Sequence, residues 1–259
     1  HHIKLIFMFE VIILSIIQGI TEFLPVSSSA HLILIAKYLN FNNENLTLDI
    51  NLHFGSLLAV LVYFRTDLLE FVENKILFLK ILLSSIPIMI FGFLLIKFDL
   101  LDSFRSFKLI GWTTIIFGIL LYFSDLSKVK KTIEKNFSLK TALCIGIFQI
   151  ISLIPGVSRS GIVITGARFF NFSRSDSAKI SFLISIPTLT IVCLYNLKNL
   201  FLEKNLEISQ LNFFGIFFSF FFSYFTIKYF LKYIKKFNLT AFVLYRIFLG
   251  VLILFFSYL

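Results

Sequence analysis

Charge is what this chain has least of. Lys, Arg, Asp and Glu make up 15% of its 259 residues, and only 14 are acidic, whereas an ordinary soluble domain is about 25% charged. With 58% hydrophobic residues and a mean hydropathy of +0.93, a water-soluble globule is excluded and an all-α polytopic membrane protein is expected. Cysteine is almost absent. Cys144 and Cys193 each lie in an apolar stretch without CxxC spacing, which argues against a thiolate metal site or a redox pair and leaves both as packing residues. Also missing is any early pairing of a basic region with a small-residue cleavage site, so the first apolar run is expected to be retained. The formal charge of +10 sits in short loops between apolar runs. That placement suits anionic headgroups and membrane topology rather than nucleic acid.

Runs long enough to cross a hydrocarbon core, about 17 to 25 helical residues, occur at Ile76–Ile96, Ser177–Leu197, Leu211–Tyr233 and Leu239–Tyr258, with shorter ones at Leu48–Phe64 and Lys108–Phe123. Leu5–Leu39 and Leu139–Phe170 are each too long for one span, and Pro25 and Pro155 break them beside small polar residues. Irregular backbone at membrane depth is tolerated only inside protein or along a wet cavity, so each break is expected to mark an interior site. The expected architecture is six transmembrane helices plus two re-entrant helical hairpins, in a single membrane domain spanning 1–259.

Basic loops orient this arrangement. Ser124–Lys140 and Lys228–Asn238 are rich in Lys and are assigned to the cytoplasm; Phe41–Thr47, without Lys or Arg, falls outside. Lys97–Lys108 is also placed outside, although it carries Lys97, Arg105 and Lys108. The halves, approximately 1–123 and 139–259, are each a hairpin followed by three spans. Because three is odd, the second is inverted, a plan that places a site at the midplane. Gln18 before Pro25 and Gln149 before Pro155 form a weak echo of this repeat. Interlocking halves would bring Glu22, Ser27 and His31 towards Arg159.

The two breaks differ in chemistry. In Pro155–Gly161, Arg159 offers a planar fork of donors to phosphate oxygens, Ser158 and Ser160 add hydroxyls, and Gly156 and Gly161 permit close backbone approach to an anion. In Gln18–His31, Ser27 and His31 are spaced for a nucleophile and base on one helical face, while Ser28 or Ser29 is expected to cap a half-helix. Glu22 either orients His31 or, with Gln18 four residues earlier, holds a divalent cation such as Mg²⁺ or Ca²⁺. Glu10, His53, Thr165, Arg168 and Tyr245 are weaker candidates, with His53 read as a core histidine. Arg246 stands out because a span interior rarely keeps an unpaired guanidinium.

On Gln18-Gly-Ile-Thr-Glu22, Phe23-Leu-Pro-Val-Ser-Ser28, His31, Pro155-Gly-Val-Ser-Arg-Ser-Gly161 and Ser181-Phe-Leu183 with Pro187, the chain resembles the undecaprenyl-diphosphatase family, also called the bacitracin-resistance proteins. The likeness runs over nearly the whole chain. It implies a bacterial inner-membrane enzyme with an externally facing site that hydrolyses undecaprenyl diphosphate, recycles the carrier used for peptidoglycan and confers bacitracin tolerance. By position it places Glu22, Ser27, His31 and Arg159 on the family's essential residues. Val163 departs from a Thr usual in the second motif, and Gln18 stands where the family accepts Glu or Gln. Neither the residues nor the resemblance settles whether Ser27 or His31 attacks phosphorus. Expected partners are a long-chain isoprenyl diphosphate and membrane lipids; a homodimer is left open.

Three other readings compete. Inverted repeats alone would suit a transporter or flippase for an anionic isoprenoid lipid, which needs Arg159 but gains nothing from Glu22, Ser27 and His31. A phosphatidic-acid-type phosphatase needs a second His after its Ser-Arg motif, and no His follows Arg159. A structural membrane protein leaves the intramembrane charges unexplained.

Overall fold

The computed structural model describes residues 2–38, 46–73, 75–100, 102–104, 106–203 and 210–259. Its helices are α1 (His2–Thr21), α2 (Ser28–Tyr38), α3 (Leu46–Tyr63), α4 (Arg65–Glu73), α5 (Lys75–Lys97), α6 (Phe107–Asp125), α7 (Ile133–Asn136), α8 (Leu139–Ile150), α9 (Arg159–Phe169), α10 (Arg174–Glu203), α11 (Gln210–Ile234) and α12 (Thr240–Tyr258). Five described helices, α5, α6, α10 over Arg174–Tyr195, α11 over Phe213–Ile234 and α12, are long and apolar enough to cross a membrane. The apolar stretches Met8–Thr21, Asn51–Tyr63 and Leu139–Leu153 are shorter. This is a multi-pass membrane protein.

Its helices are turned inside out relative to those of a soluble bundle. On α5 the buried residues are Ile81, Ser84, Ser85 and Ile88, while Phe78, Leu79, Ile86, Ile90, Phe91 and Phe93 point outward. In water that face would be a large aggregating patch; against lipid it costs nothing. Helix contact then depends on small residues and close approach, because lipid is as apolar as the helices themselves. At Gly146 of α8, an added Cβ would collide with the Ser84 backbone of α5; at Gly19 of α1 it would come within 2.6 Å of Phe222 Cβ on α11. Gly146→Val is therefore expected to lower stability by roughly 1–3 kcal/mol, read as a fall in Tm in detergent. An unchanged Tm would mean that α5 and α8 do not meet there.

Both long polar-interrupted regions are helix pairs. The first run divides into α1 and α2, and the second into α8, a 3₁₀ turn at Ile151–Leu153, and α9. α1 packs on α11 and α8 on α5; α3 packs on α11 and α10 on α5; α3 meets α10 and α6 meets α12. At the centre, Phe182 of α10 contacts the rings of Phe23, Phe64 and Phe230 at centroid distances of 5.4, 6.2 and 6.0 Å. This aromatic cluster fixes the first break, at Phe23, against α10.

The short helix α4 follows α3 directly and is not evident from hydropathy. Phe41–Asn45 of the Lys-free loop, and Arg105 of the exceptional one, lie outside the described residues. Arg168, in the last turn of α9, faces the loop after α6 rather than the surroundings of the protein. It is buried and donates to the carbonyls of Asp125, Ser127 and Phe172. Asp125 in turn accepts from Arg174 at 2.6 Å and from the Leu239 N–H at 3.0 Å, tying the ends of α6, α9, α10 and α12 together.

Candidate active site

The two breaks are built alike. In the first, α1 hydrogen bonding continues to Glu22, whose N–H reaches Gln18 O; the chain turns through Pro25, and Ser27 adopts φ 73° immediately before α2. In the second, Gly156 at φ 92° follows Pro155, and Ser158 adopts φ 72° immediately before α9. A left-handed serine costs about 1–2 kcal/mol, and both strained residues use their side chains in the same way. Ser27 Oγ lies 3.2 Å from Ser29 Oγ, and Ser158 Oγ 3.2 Å from Ser160 Oγ.

The breaks meet. Arg159 Nη2 donates to Glu22 Oε1 at 2.8 Å, across 137 residues of sequence, and Ser160 Oγ donates to the Leu24 carbonyl at 2.7 Å. Glu22 Oε2 accepts from Ser28 Oγ at 2.7 Å and from Gln18 Nε2 at 3.1 Å. Arg159 Nη1 also reaches the Ser181 carbonyl at 3.5 Å. His31 uses both ring nitrogens, with Nδ1 2.7 Å from the Ser27 carbonyl and Nε2 2.6 Å from the Tyr245 hydroxyl. A carbonyl only accepts, so Nδ1 carries a proton, and in the neutral ring Nε2 accepts from the Tyr245 hydroxyl.

Several expectations change in detail. Ser27 precedes α2 rather than sharing a helical face with His31, so its carbonyl, not its hydroxyl, meets the imidazole. The position before the helix falls to Ser27; Ser28 instead serves Glu22. The Gly161 N–H is taken by Ser158 Oγ at 3.1 Å, and a Cβ at Gly156 would meet Thr113 and Thr114 of α6, so the backbone at Gly156 approaches α6 closely. Thr165 Oγ1 bonds back to Gly161 O within α9, and Val163 lies in the hydrophobic core. His53, read as a core histidine, stands close enough to Glu22 for their charges to interact. It lies two turns inside α3 with no sequence signal pointing to α1.

Of the oxygens here that could meet a hard cation, both of Glu22 already accept hydrogen bonds, from Arg159, Ser28 and Gln18 Nε2. Buried Gln18 Oε1 has no hydrogen-bond partner and sits one turn from the Glu22 carboxylate. No group of three His, Cys, Asp or Glu that could hold a metal ion is gathered among the described residues, this site included.

Fold and site together define an integral membrane protein in which two facing, strained serine turns bring one carboxylate and one guanidinium together in an apolar interior, with an imidazole held on the first turn's own carbonyl. The family described as bacitracin resistance protein BacA matches residues 11–252, and the chain belongs to it. Relatives named undecaprenyl-diphosphatase include one from Pelagibacter ubique (strain HTCC1062), 48% identical over 245 residues, covering 94% of this chain and 95% of that protein. Another, from Saccharophagus degradans (strain 2-40 / ATCC 43961 / DSM 17024), is 38% identical over 251 residues, covering 92% and 94%. A third, from Jannaschia sp. (strain CCS1), is 33% identical over 265 residues, covering 97% and 99%.

Proposed function

We propose that this protein hydrolyses undecaprenyl diphosphate to undecaprenyl phosphate and inorganic phosphate, recycling the lipid carrier for peptidoglycan and conferring bacitracin tolerance. The observation that carries this reading is the Arg159–Glu22 pair joining the two breaks, in a chain whose relatives bear that enzyme's name. A transporter of an anionic lipid would use Arg159 but has no need of Ser27 and His31 beside it.

In this reading Arg159 grips the terminal phosphate, whose oxygens suit its fork, and Glu22 keeps the guanidinium aimed when no substrate is bound. Ser27 supplies the nucleophilic hydroxyl, and its proton passes through water to His31 Nε2, the ring nitrogen turned away from Ser27, as the substrate displaces the Tyr245 hydroxyl. The Ser27 Oγ–P bond forms as the bridging P–O bond breaks and undecaprenyl phosphate leaves. Water then cleaves the phosphoserine, releasing inorganic phosphate and restoring Ser27. A Mg²⁺ or Ca²⁺ ion held by Glu22 and Gln18 would neutralise charge on the diphosphate. An apolar groove of about 330 Å³ lined by Leu24, Phe222, Phe225, Tyr229, Phe230 and Phe242 begins two residues from Glu22 and gives the isoprenyl chain a route towards lipid.

The finer architecture belongs to the same proposal: six spans and two re-entrant hairpins, arranged as inverted repeats in the bacterial inner membrane with the site facing outward. The matched serine turns, the packing preserved when the halves are exchanged and the Lys-rich loops support it.

Purified protein given a long-chain isoprenyl diphosphate and Mg²⁺ or Ca²⁺ is expected to release inorganic phosphate, and a chelator to stop it. No phosphate across a range of metals would sink the enzyme reading. Rapid acid quench is expected to trap an acid-stable phosphoserine at Ser27; an acid-labile, alkali-stable adduct would move the nucleophile to His31.

A further inference from the structure

Breaking a helix at membrane depth leaves carbonyls without their usual N–H partners, and each orphan is costly where no water can reach it. Here both breaks hand such a carbonyl to one side chain. Arg246 of α12, fully buried, donates from Nη1 to the Pro25 carbonyl at 3.4 Å, from Nη2 to the Gly156 carbonyl at 2.9 Å and from Nε to the Thr114 carbonyl at 3.1 Å. Pro25 belongs to the first break, Gly156 to the second, and Thr114 to α6.

The surroundings clear space for this side chain. A Cβ at Gly118 would stand 3.1 Å from Arg246 Cβ, and one at Gly161 3.0 Å from Arg246 Nη1. The preceding residue, Tyr245, holds His31 Nε2, so adjacent positions on α12 reach both the breaks and the imidazole. All three recorded partners of the guanidinium are carbonyls, so its recorded hydrogen bonds differ from those of Arg159, which faces a carboxylate.

We propose that Arg246 is a positioning residue: its planar fork clips the first break to the second through Pro25 and Gly156, setting the spacing at which Arg159, Glu22 and His31 face one phosphate. The proposal rests on the phosphatase reading for its kinetic consequence but not for the clip itself. Lysine cannot replace it, because an ammonium is a point charge without the fork that reaches two carbonyls at once.

The test uses full-length protein in detergent and three variants: Arg246→Lys, Arg246→Met and Gly118→Ala. A small misplacement of catalytic groups costs about a hundredfold in rate. Accordingly, kcat on the isoprenyl diphosphate is expected to fall by about that factor in Arg246→Lys and Arg246→Met, and by less in Gly118→Ala, which only crowds Arg246 Cβ. KM is expected to stay within about threefold, since the phosphate-gripping residue is intact. Hydrogen exchange followed by mass spectrometry is expected to rise at both breaks, around 23–29 and 156–161, with the rest of α6 and α12 unchanged.

Wild-type kcat in Arg246→Lys, or a KM rise with kcat unchanged, would overturn the positioning role, the latter making Arg246 a direct phosphate ligand. Exchange raised along all of α12, with kcat recovered in Arg246→Lys, would reduce it to helix packing. If the wild type releases no phosphate, the phosphatase reading fails separately, and unchanged exchange at the two breaks in Arg246→Met would still refute the clip.

Discussion

Arg159→Ala is expected to lower phosphate release from a long-chain isoprenyl diphosphate by about a thousandfold or more, the usual cost of removing the donor that stabilises a transferring phosphoryl group. Stability is expected to fall as well, because Glu22 loses its counter-charge and keeps only the donors from Ser28 and Gln18. Arg159→Lys provides the sharper arm. It keeps the charge but loses the fork that spans Glu22 and the Ser181 carbonyl, so it is expected to remain far below wild type. Full activity in the lysine variant, measured by steady-state phosphate release, would show that charge alone is needed at this position.

Glu22→Ala is expected to cost both activity and stability. The Glu22 and Arg159 side chains are 6% and 12% exposed, and removing one partner of a buried pair costs about 3–5 kcal/mol because the other charge is left uncompensated. Replacing both, as Glu22→Leu with Arg159→Met, is expected to return most of that stability, since an apolar pair of similar size avoids the desolvation cost. The double variant should unfold near the wild-type temperature and release no phosphate. A double variant as unstable as Glu22→Ala would mean that the carboxylate matters for shape rather than for charge balance.

Legibility from sequence followed distance along the chain. Gln18 and Glu22 are one helical turn apart, and their contact is implied by spacing alone. The breaks were also legible, since proline beside Ser and Gly inside a long apolar run has few structural outcomes. Their left-handed serines were not, because φ at Ser27 and Ser158 is set by how each half-helix must leave the turn. Capping shows the limit well. Ser28 and Ser29 each suited the role by composition, yet the turn placed Ser27 before the helix and sent Ser28 to Glu22. The family resemblance supplied the reaction, which physical reading of the residues alone left as one of several.

By itself the amino-acid order determined that this chain belongs in a membrane and that its polar interior lies at two interrupted helices. Hydropathy and helix-breaking are local properties that need no partner. Only the tertiary structure decided which groups meet: Glu22 with Arg159, His31 with Tyr245, and Arg246 with the carbonyls of both breaks. Those pairs are separated by 90 to 221 residues, and they are selected by the need to satisfy buried polar groups where no water is available to do it.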